Sequence, residues 1–188
     1  MANNWSVTSA PCGCRRLSKE RRSRTLRVSE FQKPGHMIKF NSSSPTHSEF
    51  SNYHRSPFTL DGKDWKTVEH YYQAYKFLPH DPEWAEQVRK ASGPGTAKKM
   101  AWSEEHPIRV DWDEIKDAVM IRALRAKFAA DPELQRLLLS TDGQQLVEHT
   151  PWGDFYWGDG GDGTGKNRLG EMLMELREQG LASRDDAI

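Results

Sequence analysis

Trp157-Gly158-Asp159-Gly160-Gly161-Asp162-Gly163-Thr164-Gly165-Lys166-Asn167 is the stretch around which the chain is organised. Five glycines fill the eight positions from 158 to 165, and an apolar helical pattern follows at Leu169, Met172, Leu173 and Leu176. Glycines strip side chains from a loop and permit positive φ, so backbone N–H groups can close on a ligand while the next helix aims its N-terminus at it. The stretch predicts an anion-binding wall formed by Gly158, Gly160 and Gly161, with Lys166 beside it. A strand-to-helix turn without a ligand is the competing interpretation. Gly158, Gly160 and Gly163 match G-x-G-x-x-G, and Gly160 to Asn167 falls one residue short of a P-loop. Neither motif is complete. Asn167 lacks the hydroxyl that holds magnesium, and the 21 residues after it are too few to finish a dinucleotide-binding βαβ unit.

Before the glycines, Trp152, Phe155, Tyr156 and Trp157 are either core or a stacking surface for a base or ribose. The final helix is predicted over 166–179, with 182–188 fraying. Toward the N-terminus, Met37-Ile38-Lys39-Phe40 alternates like a half-buried strand, and Phe58 to Trp65 spells a hairpin around Asp61-Gly62. Thr67 caps a helix that runs to about Leu78, before Pro79. At about 100° per residue, its Glu69, Tyr72, Gln73 and Lys76 share one stripe. Asp81-Pro82-Glu83 and Asp131-Pro132-Glu133 open further helices. Asp111 with Glu114 resembles a capping box ahead of a long helix through Phe128, while Leu137 to Leu139 and Leu146-Val147 fill the core. The prediction is an α+β, mainly helical single domain over 37–181 with a small antiparallel sheet.

At 188 residues the chain suits one such domain, and no apolar run approaches the ~20 residues of a membrane span, so a membrane partner is not expected. Its zero formal charge is uneven: residues 1–36 hold eight basic and two acidic side chains, a local +6 balanced by −6 elsewhere. This arm is disordered, a nucleic-acid-binding tail, or an organelle transit peptide, and composition does not separate the three. Cys12 and Cys14 alone make neither a zinc site nor a disulfide framework, so an intracellular, reducing compartment such as cytoplasm or nucleus is expected.

The stripe and the loop suggest a chemistry. Cleaving an N-glycosidic bond leaves ribose C1 electron-deficient, so a nearby carboxylate can stabilise the charge, activate water or shuttle a proton. Glu69 and Asp159 are the best pair, against the plainer roles of helix-dipole complementation and an Asx turn. If the leaving group is an exocyclic amine, ring opening gives an imine that Lys76 can exchange with to form a Schiff base. Lys166 competes for that task or for phosphate. The seven histidines form neither H-E-x-x-H nor a tight His and Cys cluster, so no metal or other cofactor is expected. Glu148-His149 is either an acid and base pair or a core or turn element.

Glu49-Phe-Ser-Asn-Tyr53, Val68-Glu-His-Tyr-Tyr-Gln-Ala-Tyr-Lys-Phe77, Leu124-Arg-Ala-Lys-Phe128, Leu146-Val-Glu-His-Thr150, Tyr156-Trp-Gly-Asp-Gly-Gly161 and Gly165-Lys-Asn-Arg-Leu-Gly170 resemble the NADAR family of YbiA-like proteins. The resemblance runs from about Ile38 to Gln179. It implies a metal-independent N-glycoside hydrolase whose substrates join ribose C1 to an exocyclic amine: early riboflavin-pathway intermediates, or ADP-ribose on the guanine amino group of nucleic acid. It further implies Glu69 as catalytic carboxylate, with Ser51, Asn52, Gln73, Trp157, Asp159 and Asn167 lining the site beside Tyr72 of the stripe. The basic arm tips the expected partner toward ADP-ribosylated nucleic acid over a ribosylamine small molecule. A non-catalytic reader of ADP-ribose is a third candidate, one that does not require the Glu69 stripe.

Overall fold

The computed structural model describes residue 1 and residues 36–180. The basic arm and the frayed C-terminus expected from sequence lie outside the described residues. Strand β1 (Met37–Phe40) is followed by a short 3-10 turn (Ser48–Phe50), the hairpin β2 (Phe58–Leu60) and β3 (Lys63–Trp65), and helices α1 (Val68–Tyr75), α2 (Pro82–Lys90) and α3 (Pro94–Met100). Then come the long helix α4 (Trp112–Ala130), α5 (Pro132–Leu139), strand β4 (Gln145–Glu148) and helix α6 (Arg168–Gln179). The architecture is α+β and mainly helical.

The β2–β3 hairpin is antiparallel, with Asp61 and Gly62 both at positive φ as an Asp-Gly turn requires. The other pairing was not anticipated. β1 lies parallel to β4, from Met37 opposite Gln145 to Phe40 opposite Glu148. Leu146-Val147, assigned to core filling, is thus the centre of a strand. A parallel partner reached through a long crossover leaves no local turn signal to announce it.

Of the four N-caps expected from sequence, three form. Thr67, Asp81 and Asp131 each accept a first-turn backbone N–H, from His70, Trp84 and Glu133 respectively. Asp111 makes no side-chain cap, because its carboxylate is engaged by the Arg109 guanidinium. α1 ends at Tyr75 and leaves Lys76 as its C-cap.

α1 is the central element, packed against α2, α3 and α4, with every residue from Val68 to Ala74 buried. Side chains buried on such a helix cannot reach bulk water, so their polar groups need internal partners. His70 bonds the Thr67 hydroxyl and faces the Ala91 carbonyl, and the Tyr71 hydroxyl donates to Asp61.

Lys127 on α4 is fully buried, and its Nζ donates to the backbone carbonyls of Glu49 and of Ser51, the latter at 2.9 Å. It thereby anchors the loop that delivers Ser51 and Asn52 to the start of α1. Burial pulls its pKa down to about 7, and the neutral amine still carries two N–H donors for the two carbonyls. Lys127→Met should cost about 1–3 kcal/mol for each carbonyl left unpaired, read from urea unfolding. The folded state releases this proton near pH 7 and the unfolded state near 10.5. This lysine therefore makes stability rise with pH across that window, and the variant should lose the rise.

Candidate active site

Loop, helix and strand meet around a cleft of about 590 Å³. Its lining comes from the loop before β2 (Ser51, Asn52 and Tyr53), from the stripe Glu69, Tyr72, Gln73 and Lys76, and from β4 and the turn after it (Glu148, Thr150, Asp154 and Trp157). Ser42, Ser43, Lys98, Trp102 and Trp152 stand around the remainder. Trp102 and Trp152 are 69% and 65% exposed, with Lys98 Nζ 5.7 Å from the Trp102 ring centroid.

Glu69 is 2% exposed. Its Oε2 accepts from Asn52 Nδ2 at 2.6 Å and its Oε1 from Gln73 Nε2 at 2.7 Å, while its backbone N–H donates to the Asn52 carbonyl at 3.0 Å. Burial raises its pKa; the Gln73 hydrogen bond and the Lys98 and Lys76 charges act in the opposite direction, and Asp154 adds to the rise. With its amide nitrogen committed to Glu69, Gln73 leaves Oε1 buried and without a hydrogen-bond partner. That acceptor belongs to a side chain lining the cleft, and a buried polar atom left unpaired calls for an explanation.

Lys76 Nζ sits 5.6 Å from both the Tyr72 and Trp112 ring centroids. Burial lowers its pKa, Glu69 raises it and Lys98 lowers it further, the net direction being down. An amine that sheds its proton more readily is a better nucleophile at neutral pH. Tyr72 meets Trp112 and Trp157 edge-on at 4.8 and 5.4 Å, fixing the aromatic wall.

The glycine loop does not form the predicted wall. Most of its N–H groups are consumed internally: Gly160 donates to Asp154 O, Gly163 and Gly165 to Asp159 O, Lys166 to Phe155 O and Asn167 to Gly158 O. Even the first N–H groups of α6 are taken, Arg168 by Tyr156 O and Leu169 by Trp157 O. The glycines serve close packing. A Cβ on Gly165 would lie 2.2 Å from Gly158 O, and one on Gly158 2.5 Å from the Thr150 side chain. Gly160 and Gly161 have positive φ and pack against Phe155 and Pro151.

Asp159 likewise turns away from the cleft. Its carboxylate accepts from the Thr150 and Gly161 N–H groups at 3.1 and 2.9 Å and from His149 Nδ1 at 2.9 Å, with Lys39 Nζ at 3.4 Å. Burial alone would raise its pKa, but the bonds from His149, Gly161 and Thr150 hold it well below the usual carboxylate range. Asn167 is a backbone splint: Nδ2 donates to Leu146 O at 2.8 Å and Oδ1 accepts from Glu148 N at 2.9 Å. Lys166 is exposed, its Nζ 5.1 Å from the Tyr156 ring.

So the structure brings Ser51, Asn52, Glu69, Tyr72, Gln73, Lys76 and Trp157 to one cleft, and leaves Gly158, Asp159, Gly160, Gly161, Lys166 and Asn167 off its lining. The sequence offered Glu148 only as half of a Glu148-His149 acid and base pair, and it passed over Asp154. Strand alternation was the available signal for the first: it separates Glu148, toward the cleft, from His149, toward Asp159, so the two are not a pair. Asp154 accepts the Tyr156 and Trp157 N–H groups at 3.1 and 2.9 Å, which fixes the turn carrying Trp157. Among the described residues no cluster of three His, Cys, Asp or Glu side chains is arranged to hold a metal, and no helix is long and apolar enough to cross a membrane.

Comparison with known proteins places this geometry. The NADAR domain model matches residues 39–179. N-glycosidase YbiA of Shigella boydii is 50% identical over 143 residues, covering 76% of this chain and 88% of that protein. The NMR structure of Escherichia coli YbiA superposes with a TM-score of 0.69 at 49% identity, over 77% of this chain and 84% of the other. The chloroplastic riboflavin biosynthesis protein PYRR of Zea mays is 38% identical over 149 residues, 71% of this chain but only 23% of that longer protein. With a match extending from β1 through α6, the chain belongs to the NADAR-domain family and is an N-glycosidase.

Proposed function

We propose that the cleft hydrolyses the bond between ribose C1 and an exocyclic amine, with a small phosphorylated ribosylaminopyrimidine of the early riboflavin pathway as substrate. The observation that carries the chemistry is the buried Glu69 carboxylate with an amide donor on each oxygen. Both donors favour the anion, which a cation developing at C1 needs beside it. The substrate class draws support from the maize relative's role in riboflavin biosynthesis. The cleft volume also lies within the roughly 300–1,000 Å³ typical of small-molecule sites.

In this mechanism the C–N electron pair leaves with the amine. Positive charge at C1 is held by Glu69, which also takes a proton from the attacking water. Lys76, on the same stripe one helical turn beyond Tyr72, offers a covalent route: its amine adds to the C1 imine of the ring-opened sugar, the pyrimidine amine departs, and water hydrolyses the lysyl imine. Lys166, exposed and off the cleft lining, has no corresponding access.

Removal of ADP-ribose from guanine is the second reading, favoured by the exposed Trp102 and Trp152 side chains, which can stack on bases beyond the ribose pocket. The basic arm that made it the leading expectation from sequence lies outside the described residues. Assaying both substrates on purified protein should show faster turnover of 5-amino-6-ribosylaminouracil 5′-phosphate. Rapid release of ADP-ribose from ADP-ribosylated DNA, with the small molecule untouched, would reverse the assignment.

Glu69→Gln should retain binding of ribose 5-phosphate while turnover falls by about 10²–10⁴; unchanged turnover would remove Glu69 from the chemistry, and a wild-type protein that binds ADP-ribose without turning over either substrate would indicate a reader. Borohydride added during turnover should trap a sugar adduct on the wild type. An adduct that persists in Lys76→Ala would remove Lys76 from the covalent route.

A further inference from the structure

The cleft contains a second buried carboxylate with no task in the hydrolysis above. Glu148 ends β4, is 7% exposed, and lines the same cleft as Glu69. Its backbone is held on both sides. The Asn167 side chain accepts its N–H, and the Asp159 N–H donates to its carbonyl at 2.9 Å, while β1 supplies Phe40 as its parallel partner. The side chain therefore leaves a rigid strand end in a fixed direction.

The surroundings of the two carboxylates differ. Glu69 has an amide N–H on each oxygen, an arrangement that opposes a proton. Among the described residues, no hydrogen-bond donor reaches the Glu148 carboxylate. The charged groups that face it are Asp154 from the turn before Trp157, Glu69 from α1, Lys98 from α3 and Lys127 from α4. Tyr53, from the loop before β2, is a neutral phenol whose own pKa is pushed up by burial and by Glu69 and Glu148. Burial, then Asp154 and Glu69, push Glu148 up to about 8 against the smaller opposing pull of the two lysines. Burial raises the pKa of both acids, but only Glu69 has hydrogen-bond donors that favour its anion, so of the two Glu148 is the one suited to keep a proton, the role a glycosidic cleavage requires of its acid.

We propose that Glu148 is the catalytic acid that delivers a proton to the departing exocyclic amine. The inference rests on the C1–amine cleavage proposed above. As the C1–N bond breaks, its electron pair stays on nitrogen and the Glu148 carboxyl proton moves to that nitrogen, leaving a carboxylate and a neutral amine. Glu69 meanwhile gains the proton of the water that adds to C1, or of the water that hydrolyses the Lys76 imine. Exchange with solvent returns both acids to their starting states. Burying two anions in one cleft is unfavourable, so Glu148 gives up its proton only as positive charge appears at C1.

The test uses two probes, ribose 5-phosphate N-linked to 4-methoxyaniline and to 4-nitroaniline, whose leaving amines differ in their need for protonation. Glu148→Gln keeps the side-chain volume. It should lose about 100-fold or more on the methoxy probe, a typical contribution of a general acid, and less than about tenfold on the nitro probe, whose near-normal turnover also certifies the fold. Wild-type kcat/KM on the methoxy probe should fall above about pH 8, the Glu148 value, and the variant should lack that alkaline limb. Equal losses on both probes, no loss on either, or an alkaline limb retained in the variant would overturn the assignment. Wild-type protein that cleaves neither probe would instead remove the C1–amine reading beneath it.

Discussion

The structure depends on holding one carboxylate inside an all-buried helix. Glu69 lies in the first turn of α1, where the macrodipole favours a negative charge, but it is too enclosed for water to solvate it. Two amides replace that water: Asn52 from the preceding loop and Gln73 one turn along the helix. Each demands its own support. Asn52 is in place because its carbonyl accepts the Glu69 N–H and because Lys127 anchors the loop carbonyl beside it. Gln73 holds still through its commitment to Glu69, at the cost of a buried acceptor with no protein partner.

Gln73 with its unpaired oxygen, Glu148 with its carboxylate lacking a donor and Lys76 with its amine among rings all line one cleft. In a protein selected for stability alone, such groups would be paired or replaced by hydrocarbon. Their convergence on one side of α1, while its other faces pack against α2 and α4, is the structural expression of function in this fold. The glycine-rich segment contributes at one remove: its self-contained hydrogen bonding fixes Asp159 and Asn167, which hold the end of β4 and thereby Glu148.

Much of this was legible in the sequence. The Glu69, Tyr72, Gln73, Lys76 stripe follows from helical periodicity, and the caps at Thr67, Asp81 and Asp131 were set by local chemistry. The parallel β1–β4 pair was hidden because its two halves are about a hundred residues apart and each is only four residues long. The glycine loop misled for a related reason. Composition shows that a backbone can approach something closely, but not whether that something is a phosphate or, as here, its own neighbouring strand and turn. Asp159 and Asn167 look like site residues in a motif because both are polar and flank glycines; only the coordinates show their bonds directed at Thr150, Gly161, Leu146 and Glu148. Glu148 was read only together with His149 because β4, four residues long, was not recognised as a strand, so its alternation was never used to separate the two.

The central claim is that a ribose C1 cation is formed beside Glu69. A crystal structure with an iminoribitol 5-phosphate, whose protonated ring nitrogen mimics that cation, tests it most directly. The ring nitrogen should lie at about 3 Å from a Glu69 oxygen. An inhibitor bound against the glycine loop, or lying in the cleft with its cationic nitrogen directed away from Glu69, would contradict it.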